Sequence, residues 1–224
     1  MELSHRKTGA FEPSSKDEHA PVFLFDLGGV LIKWHNNDPI YRYIADRYEV
    51  PFGKLKLTLA PSLLSVESGE ISTGAFVEEG LSKLQRRLKP GDTGEELWLR
   101  TFAELVTLRL GVARTIARLR DEGHHVYCLS NISPPHLAFI RSKGWTNLFD
   151  TFYASCELGC VKPEAEIFEK VLKETATSAD RIVFIDDSPV CITGAKAAGI
   201  SQAFRFQSIP QMRKDFQKVK RKTR

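Results

Sequence analysis

The chain has 224 residues, 42% of them apolar, and a formal net charge of +4. This bounds it to one core-forming domain or one domain with an insertion. No run of about 18 apolar residues is present, so no membrane span is expected.

The first 20 residues, rich in charge and containing Gly9, Pro13, Ser14 and Ser15, read as a flexible tail. They lack the apolar centre of a signal peptide, which points to a cytoplasmic protein. Four apolar residues at 22–25 form a buried strand, and 30–34 a short extended piece. Asp38 with Pro39 behind it starts a helix over 38–48. A second helix spans 51–59 and breaks at Pro61; residues 67–70 are a loop; a long helix covers 72–88; and Asp92 with Glu95 forms a capping box for a helix over 94–105. Residues 35–108 thus carry no strong strand signal and read as a helical insertion.

Beyond it strand and helix alternate. Helices are expected over 112–122, 134–142, 163–174 and 189–198, and from 209 onward; strands over 125–129, 151–154, 182–185 and 203–206. All-apolar strands alternating with helices define an α/β fold, a Rossmann-like parallel sheet covered by helices on both faces. The expected organisation is a tail over 1–20, a core over 21–34 and 109–207, a cap over 35–108, and a C-terminal helix with basic tail over 208–224. Cys128, Cys156, Cys160 and Cys191 form no CxxC pair and read as reduced thiols.

Ligands of such sheets bind beyond the carboxyl ends of the strands. Three strands end there in polar residues: Asp26 after 22–25, Ser130 and Asn131 after 126–129, and Asp186 and Asp187 after 182–185. Lys162 stands just before Pro163 at a helix start. A carboxylate at the end of an apolar run is costly to bury unless metal or hydrogen bonds compensate it, and Gly28 and Gly29 behind Asp26 let chain and ligand approach closely. Asp26 with Asp186 or Asp187 suits a hard cation such as Mg²⁺. A carboxylate can also be a covalent nucleophile toward phosphorus, Ser130 and Asn131 can bond phosphoryl oxygens, and Lys162 supplies positive charge. Taken singly, each has an ordinary alternative as a loop start, a solvated lysine or a helix cap.

The four segments Phe25-Asp26-Leu27-Gly28-Gly29-Val30, Leu129-Ser130-Asn131, Val161-Lys162-Pro163-Glu164 and Phe184-Ile185-Asp186-Asp187-Ser188-Pro189, in that order and strand context, resemble the haloacid dehalogenase-like (HAD) hydrolase superfamily. The resemblance is to its helical-cap subgroup, which includes sugar-phosphate phosphatases and the phosphatase domain of soluble epoxide hydrolases. It implies that Asp26 forms an aspartyl-phosphate, that Ser130 and Asn131 hold phosphoryl oxygens beside Gly29, and that Lys162 neutralises charge. It further implies that Mg²⁺ is held by Asp26, the Gly28 carbonyl and Asp187, with Asp186 bonding water or Lys162. The implied substrate is a small phosphorylated metabolite, and the chain is expected as a monomer or homodimer.

One position departs from the family. Its phosphatases usually carry a second Asp two residues after the nucleophile, as acid and base; here Gly28 stands there. Such a group is worth about 10²–10⁴-fold in rate. His35 and His136 are the candidates to replace it, because histidine titrates near neutrality. Metal-independent 2-haloacid dehalogenation is the alternative activity, against which the paired Asp186 and Asp187 count; a catalytically weak phospho-ligand or partner-binding protein is the other alternative. Substrate choice is assigned to the cap and to 132–136, with Trp34, His35 and Asn36 at the cap's start and the segment 61–70 also reaching the pocket. The basic residues of 213–224 lack the interleaved aromatics of a nucleic-acid stacking surface, so nucleic acid is not the expected partner.

Overall fold

The computed structural model of the protein describes residues 20–34 and 36–219. Most of the 1–20 tail, His35 and the last five residues, four of them basic, lie outside the described residues.

In chain order the elements are β1 (Val22–Phe25), β2 (Ile32–Lys33), α1 (Asp38–Tyr48), α2 (Phe52–Leu59), α3 (Leu63–Glu67), α4 (Thr73–Lys83), α5 (Gly94–Leu105), β3 (Thr107–Leu108), α6 (Leu110–Asp121), β4 (Val126–Ser130), α7 (Pro134–Ser142), β5 (Thr151–Ala154), α8 (Ser155–Leu158), α9 (Ala165–Thr175), β6 (Ile182–Asp186), α10 (Pro189–Ala197), β7 (Gln202–Arg205) and α11 (Ile209–Phe216). Five strands form one sheet in the order β5-β4-β1-β6-β7, and every pair in it is parallel.

Strand periodicity sends alternate side chains to opposite faces. Phe23, Phe25, Val126, Cys128, Val183 and Ile185 enter one apolar cluster with Ile116 of α6, Ile140 of α7 and Met212 of α11. Val22, Leu24, Leu129, Ile182 and Phe184 enter the other, with Phe168 of α9 and Ile192 of α10. Both faces are therefore covered, and each fully buried side chain of this size contributes roughly 1.5–3 kcal/mol. β1 is central, flanked by β4 and β6, so the chain ends of these three strands lie side by side.

The helices α1 to α5 lie between β2 and β3, which pair antiparallel with Ile32 opposite Leu108 and Lys33 opposite Thr107. The outgoing and returning chains are thus held together at the base of the helical block. Its interior, including Ile44, Leu55, Phe76 and Trp98, is continuous with the core through Leu31, Ile132 and Leu137.

Local differences from the sequence expectation have local causes. The chain does not break at Pro61: residues Ala60–Ser62 form a 3₁₀ turn with the proline in its first turn, where a missing N–H is harmless. The helix expected over 72–88 stops at Lys83, because Gln85 turns left-handed at φ 59°. The N-cap of α5 is Thr93, which accepts from the Glu96 N–H at 3.2 Å; Asp92 instead bonds Arg47 and the Tyr48 hydroxyl. β3 was invisible in the sequence because two residues give no period.

Candidate active site

Asp26, Ser130 and Asp186 close β1, β4 and β6 on one edge of the sheet and line one cavity of about 430 Å³. Lys162, 4% exposed, reaches that edge from the loop before α9 and donates to Asp26 Oδ1 and to Asp186 Oδ2, both at 2.7 Å. The other oxygen of Asp186 accepts from the Ser188 N–H at 2.8 Å. Among the described residues Asp26 Oδ2 takes no hydrogen bond, so it is the oxygen available to the cavity.

Carboxylate oxygens of Asp26, Asp186 and Asp187 lie within 4.8 Å of one another, a spacing that fits a single metal ion. Burial pushes the Asp26 carboxyl up to about 8; Lys162 opposes this, while Asp186 and Asp187 add to it. Burial works against charge on Lys162 too, but Asp186 and Asp26 outweigh it and hold the ammonium firmly protonated.

Gly29, at φ 73°, is the one position in the first loop where backbone and space both demand glycine: a Cβ there would stand 2.0 Å from Asp187 Oδ2. It makes room for Asp187. Gly28 has no positive φ, and a Cβ there would meet nothing closer than the Trp34 carbonyl at 3.5 Å. The missing side chain at 28 is a chemical absence, not a steric necessity.

The Asn131 side chain is fully engaged within the protein: its Oδ1 accepts from the Lys162 N–H at 2.8 Å and its Nδ2 donates to the Lys162 carbonyl at 2.9 Å, which leaves its backbone N–H as the group to offer a phosphoryl oxygen. The amide clamps the backbone that carries the lysine. Ser130, 3% exposed, lines the cavity with its hydroxyl near only its neighbour's carbonyl, at 3.3 Å.

His136 also lines the cavity, but its ring stacks on Phe102 at 3.9 Å between centroids and its Nε2 lies 3.2 Å from the Trp98 carbonyl. Burial lowers its pKa to about 4, against the pull of that carbonyl. It is neutral at pH 7 and has no proton to give as an acid. His35 lies outside the described residues. Trp34 and Asn36 line the cavity as expected; Trp34 donates to Asn37 Oδ1 at 3.2 Å.

Sequence reasoning reached the segment 61–70 but not its key residue. Glu67, the last residue of α3, lines the same cavity as Asp26. Its carbonyl accepts from Ser155 Oγ at 2.5 Å, and Ser155 Oγ accepts from the Ile132 N–H at 2.9 Å. Gly69 packs where a Cβ would be 2.5 Å from the Cys156 carbonyl. This contact spans 88 residues of sequence and leaves no local signature. Among the described residues no helix is long and apolar enough to cross a membrane.

A parallel sheet with a carboxylate nucleophile candidate, a lysine and an acidic pair converging at its carboxyl edge defines a hydrolase of the phosphoryl- and haloacid-processing type. The haloacid dehalogenase-like hydrolase model matches residues 20–199, and the chain belongs to that family. It is 29% identical to a sesquiterpene phosphatase of Aspergillus oryzae over 79% of this chain and 85% of that one. It is 27% identical to the D-ribitol-5-phosphate phosphatase of Bacteroides thetaiotaomicron over 79% of this chain and 87% of that one. A HAD-family enzyme of the same bacterium, solved with magnesium and inorganic phosphate, superposes with a TM-score of 0.69 at 22% identity, covering 84% of this chain and 94% of the other.

Proposed function

We propose that the protein is a Mg²⁺-dependent phosphatase that hydrolyses small phosphate monoesters through an aspartyl-phosphate on Asp26. The observation that carries this reading is the Asp26–Lys162–Asp186 hydrogen-bond chain with Asp187 beside it, at the end of the central strand. The donor set fits the cation: all-oxygen ligands suit Mg²⁺, and carboxylate oxygens of Asp26, Asp186 and Asp187 lie within 4.8 Å of one another. Asp26, Asp187 and the Gly28 carbonyl would hold it, with Asp186 bonded to Lys162. Bound there, the ion supplies positive charge that keeps Asp26 ionised and balances the phosphate.

The chain's own residues then divide the work. Ser130 donates its hydroxyl to a phosphoryl oxygen. Lys162 holds Asp26 Oδ1, leaves Oδ2 to attack phosphorus, and balances charge as the transition state develops. The bond from phosphorus to the ester oxygen breaks and the alcohol leaves. Water next attacks the same phosphorus, the bond to Asp26 breaks, and inorganic phosphate and the carboxylate are regenerated.

Residues 35–108 act as the cap. Beyond the acidic edge Ile32, Trp34, Leu63, Phe102 and Ile132 form the apolar part of a lining that also includes Asn36, Asp38, Lys56 and Glu67. These apolar walls favour a monoester whose alcohol carries apolar carbon, a preference in keeping with the sesquiterpene phosphatase relative. The test is a panel containing a prenyl monophosphate, a pentitol phosphate and p-nitrophenyl phosphate, each with Mg²⁺ and with chelator. Mg²⁺-dependent phosphate release is the expected result. No release from any ester would refute the phosphatase, and halide release from a 2-haloacid without metal would favour the dehalogenase.

A further inference from the structure

We propose that Glu67 is the general acid and base of this site, delivered from the cap to replace the carboxylate missing at Gly28. The inference rests on the phosphatase reading. Four observations support it. Glu67, on a cap helix, and Asp26, at the end of the central strand, line one cavity. The backbone of Glu67 is fixed to the core by the Ser155 bond, so its position relative to the core edge is set by a side chain rather than by the cap alone. Among the described residues no side chain donates to the Glu67 carboxyl, although it is largely buried and Lys162 lies close enough to act on it. Finally, burial raises this carboxyl to about 7, against the pull of Lys162, a value suited to giving and taking a proton near neutrality.

The groups around it are consistent with an acid that starts protonated. Tyr41 of α1 faces it and is itself pushed up to about 12 by burial, with Glu67 and Asp38 adding to the effect. Asp38 is engaged by Lys56 at 2.7 Å, and His136 is neutral. Lys162 is therefore the cation that bears on Glu67.

As Asp26 Oδ2 bonds to phosphorus and the ester bond breaks, the Glu67 carboxyl proton passes to the departing alkoxide, which leaves as the alcohol. The Glu67 carboxylate then takes a proton from the attacking water, whose oxygen bonds to phosphorus as the bond to Asp26 breaks. Glu67 ends protonated, ready for the next cycle.

The experiment compares wild type with Glu67→Gln on p-nitrophenyl phosphate and n-butyl phosphate, with Mg²⁺ present. p-Nitrophenolate leaves without a proton, so Glu67→Gln should release a burst of one p-nitrophenolate per enzyme at nearly the wild-type rate. Its steady state should then fall by about 10²-fold or more, because water is no longer deprotonated. Mass spectrometry of the quenched variant should find phosphate on Asp26, and n-butyl phosphate should lose the first step as well. The Gln side chain leaves the Ser155 bond intact, and an unchanged melting transition checks the fold. Gly28→Asp in the same variant should restore steady-state turnover. Wild-type turnover with a Glu67→Gln steady state within twofold on both esters would overturn the inference and leave the phosphatase standing. So would loss of the p-nitrophenolate burst, or a loss that Gly28→Asp does not restore, since either marks a structural role. Absence of wild-type turnover refutes the phosphatase reading, and the inference with it.

Discussion

His136 was a sequence candidate for the missing acid, and its environment makes a quantitative prediction. The ring is buried against Phe102 and Trp98, and burial lowers its pKa from 6.5 to about 4. The folded protein therefore prefers the neutral ring. Its contribution to stability is complete above the unfolded value and is lost as pH falls from about 6.5 through about 4, where the unfolded chain binds a proton that the folded chain refuses. At about 1.4 kcal/mol per tenfold difference in proton affinity, the full effect is about 3 kcal/mol, most of which falls between pH of about 7.5 and 4.5. The perturbation is His136→Phe, which keeps a ring against Phe102 and removes the titration. Urea unfolding of both proteins at the two pH values isolates the effect, because carboxylates titrate alike in each and cancel in the difference. Wild type should lose about 2–3 kcal/mol more than the variant over that interval. Equal losses would mean that His136 titrates normally in the fold, which would return it to the list of proton donors at neutral pH.

Asp26→Asn should lower turnover by more than about 10³-fold without loss of the melting transition, since an amide cannot attack phosphorus and the change removes a buried charge; near-normal turnover would show that another group is the nucleophile. Lys162→Met should lower stability by about 3–5 kcal/mol in urea without Mg²⁺, because Asp26 and Asp186 are left buried without their shared partner, and a smaller loss in the presence of Mg²⁺ would report the cation at those carboxylates. Gly28→Asp alone should change the steady-state rate by less than about tenfold if Glu67 already does the proton work; a gain of about a hundredfold or more would show that proton transfer was unmet in the wild type.

The sheet was legible because burial on both faces writes itself as unbroken apolar runs. The runs at 22–25, 126–129 and 182–185 each announced a strand, and the polar residue after each announced the edge. That residue-by-residue order was also enough for the family, since Asp26, Ser130, Lys162 and Asp186 all come together as expected. What stayed hidden depends on contacts distant in sequence. The clamp made by the Asn131 amide was hidden because nothing local shows that both its ends meet the backbone of Lys162, 31 residues on. Glu67 looked like a loop residue because its cavity position is set by Ser155. Turn geometry was missed for a different reason: Gln85 adopts a left-handed conformation that favours glycine or asparagine, so the end of α4 carries no composition signal.

Placing the acid on the cap ties turnover to docking. With a second Asp in the first loop, the proton donor would sit on the same rigid strand end as the nucleophile and would be present whether or not the cap were seated. With Gly28 there instead, the donor comes from α3, and α3 is joined to the core by the Ser155 hydroxyl, which bridges Glu67 and Ile132. With the cap seated as it is, Glu67 stands in the same cavity as Asp26. The apolar walls Trp34, Leu63 and Phe102 close around the same space, so an alcohol that fills them also stabilises the seated state. Substrate fit and proton transfer are thereby coupled through one segment, and selectivity should appear in kcat as well as in KM, because binding energy used to seat the cap is expressed in the chemical step.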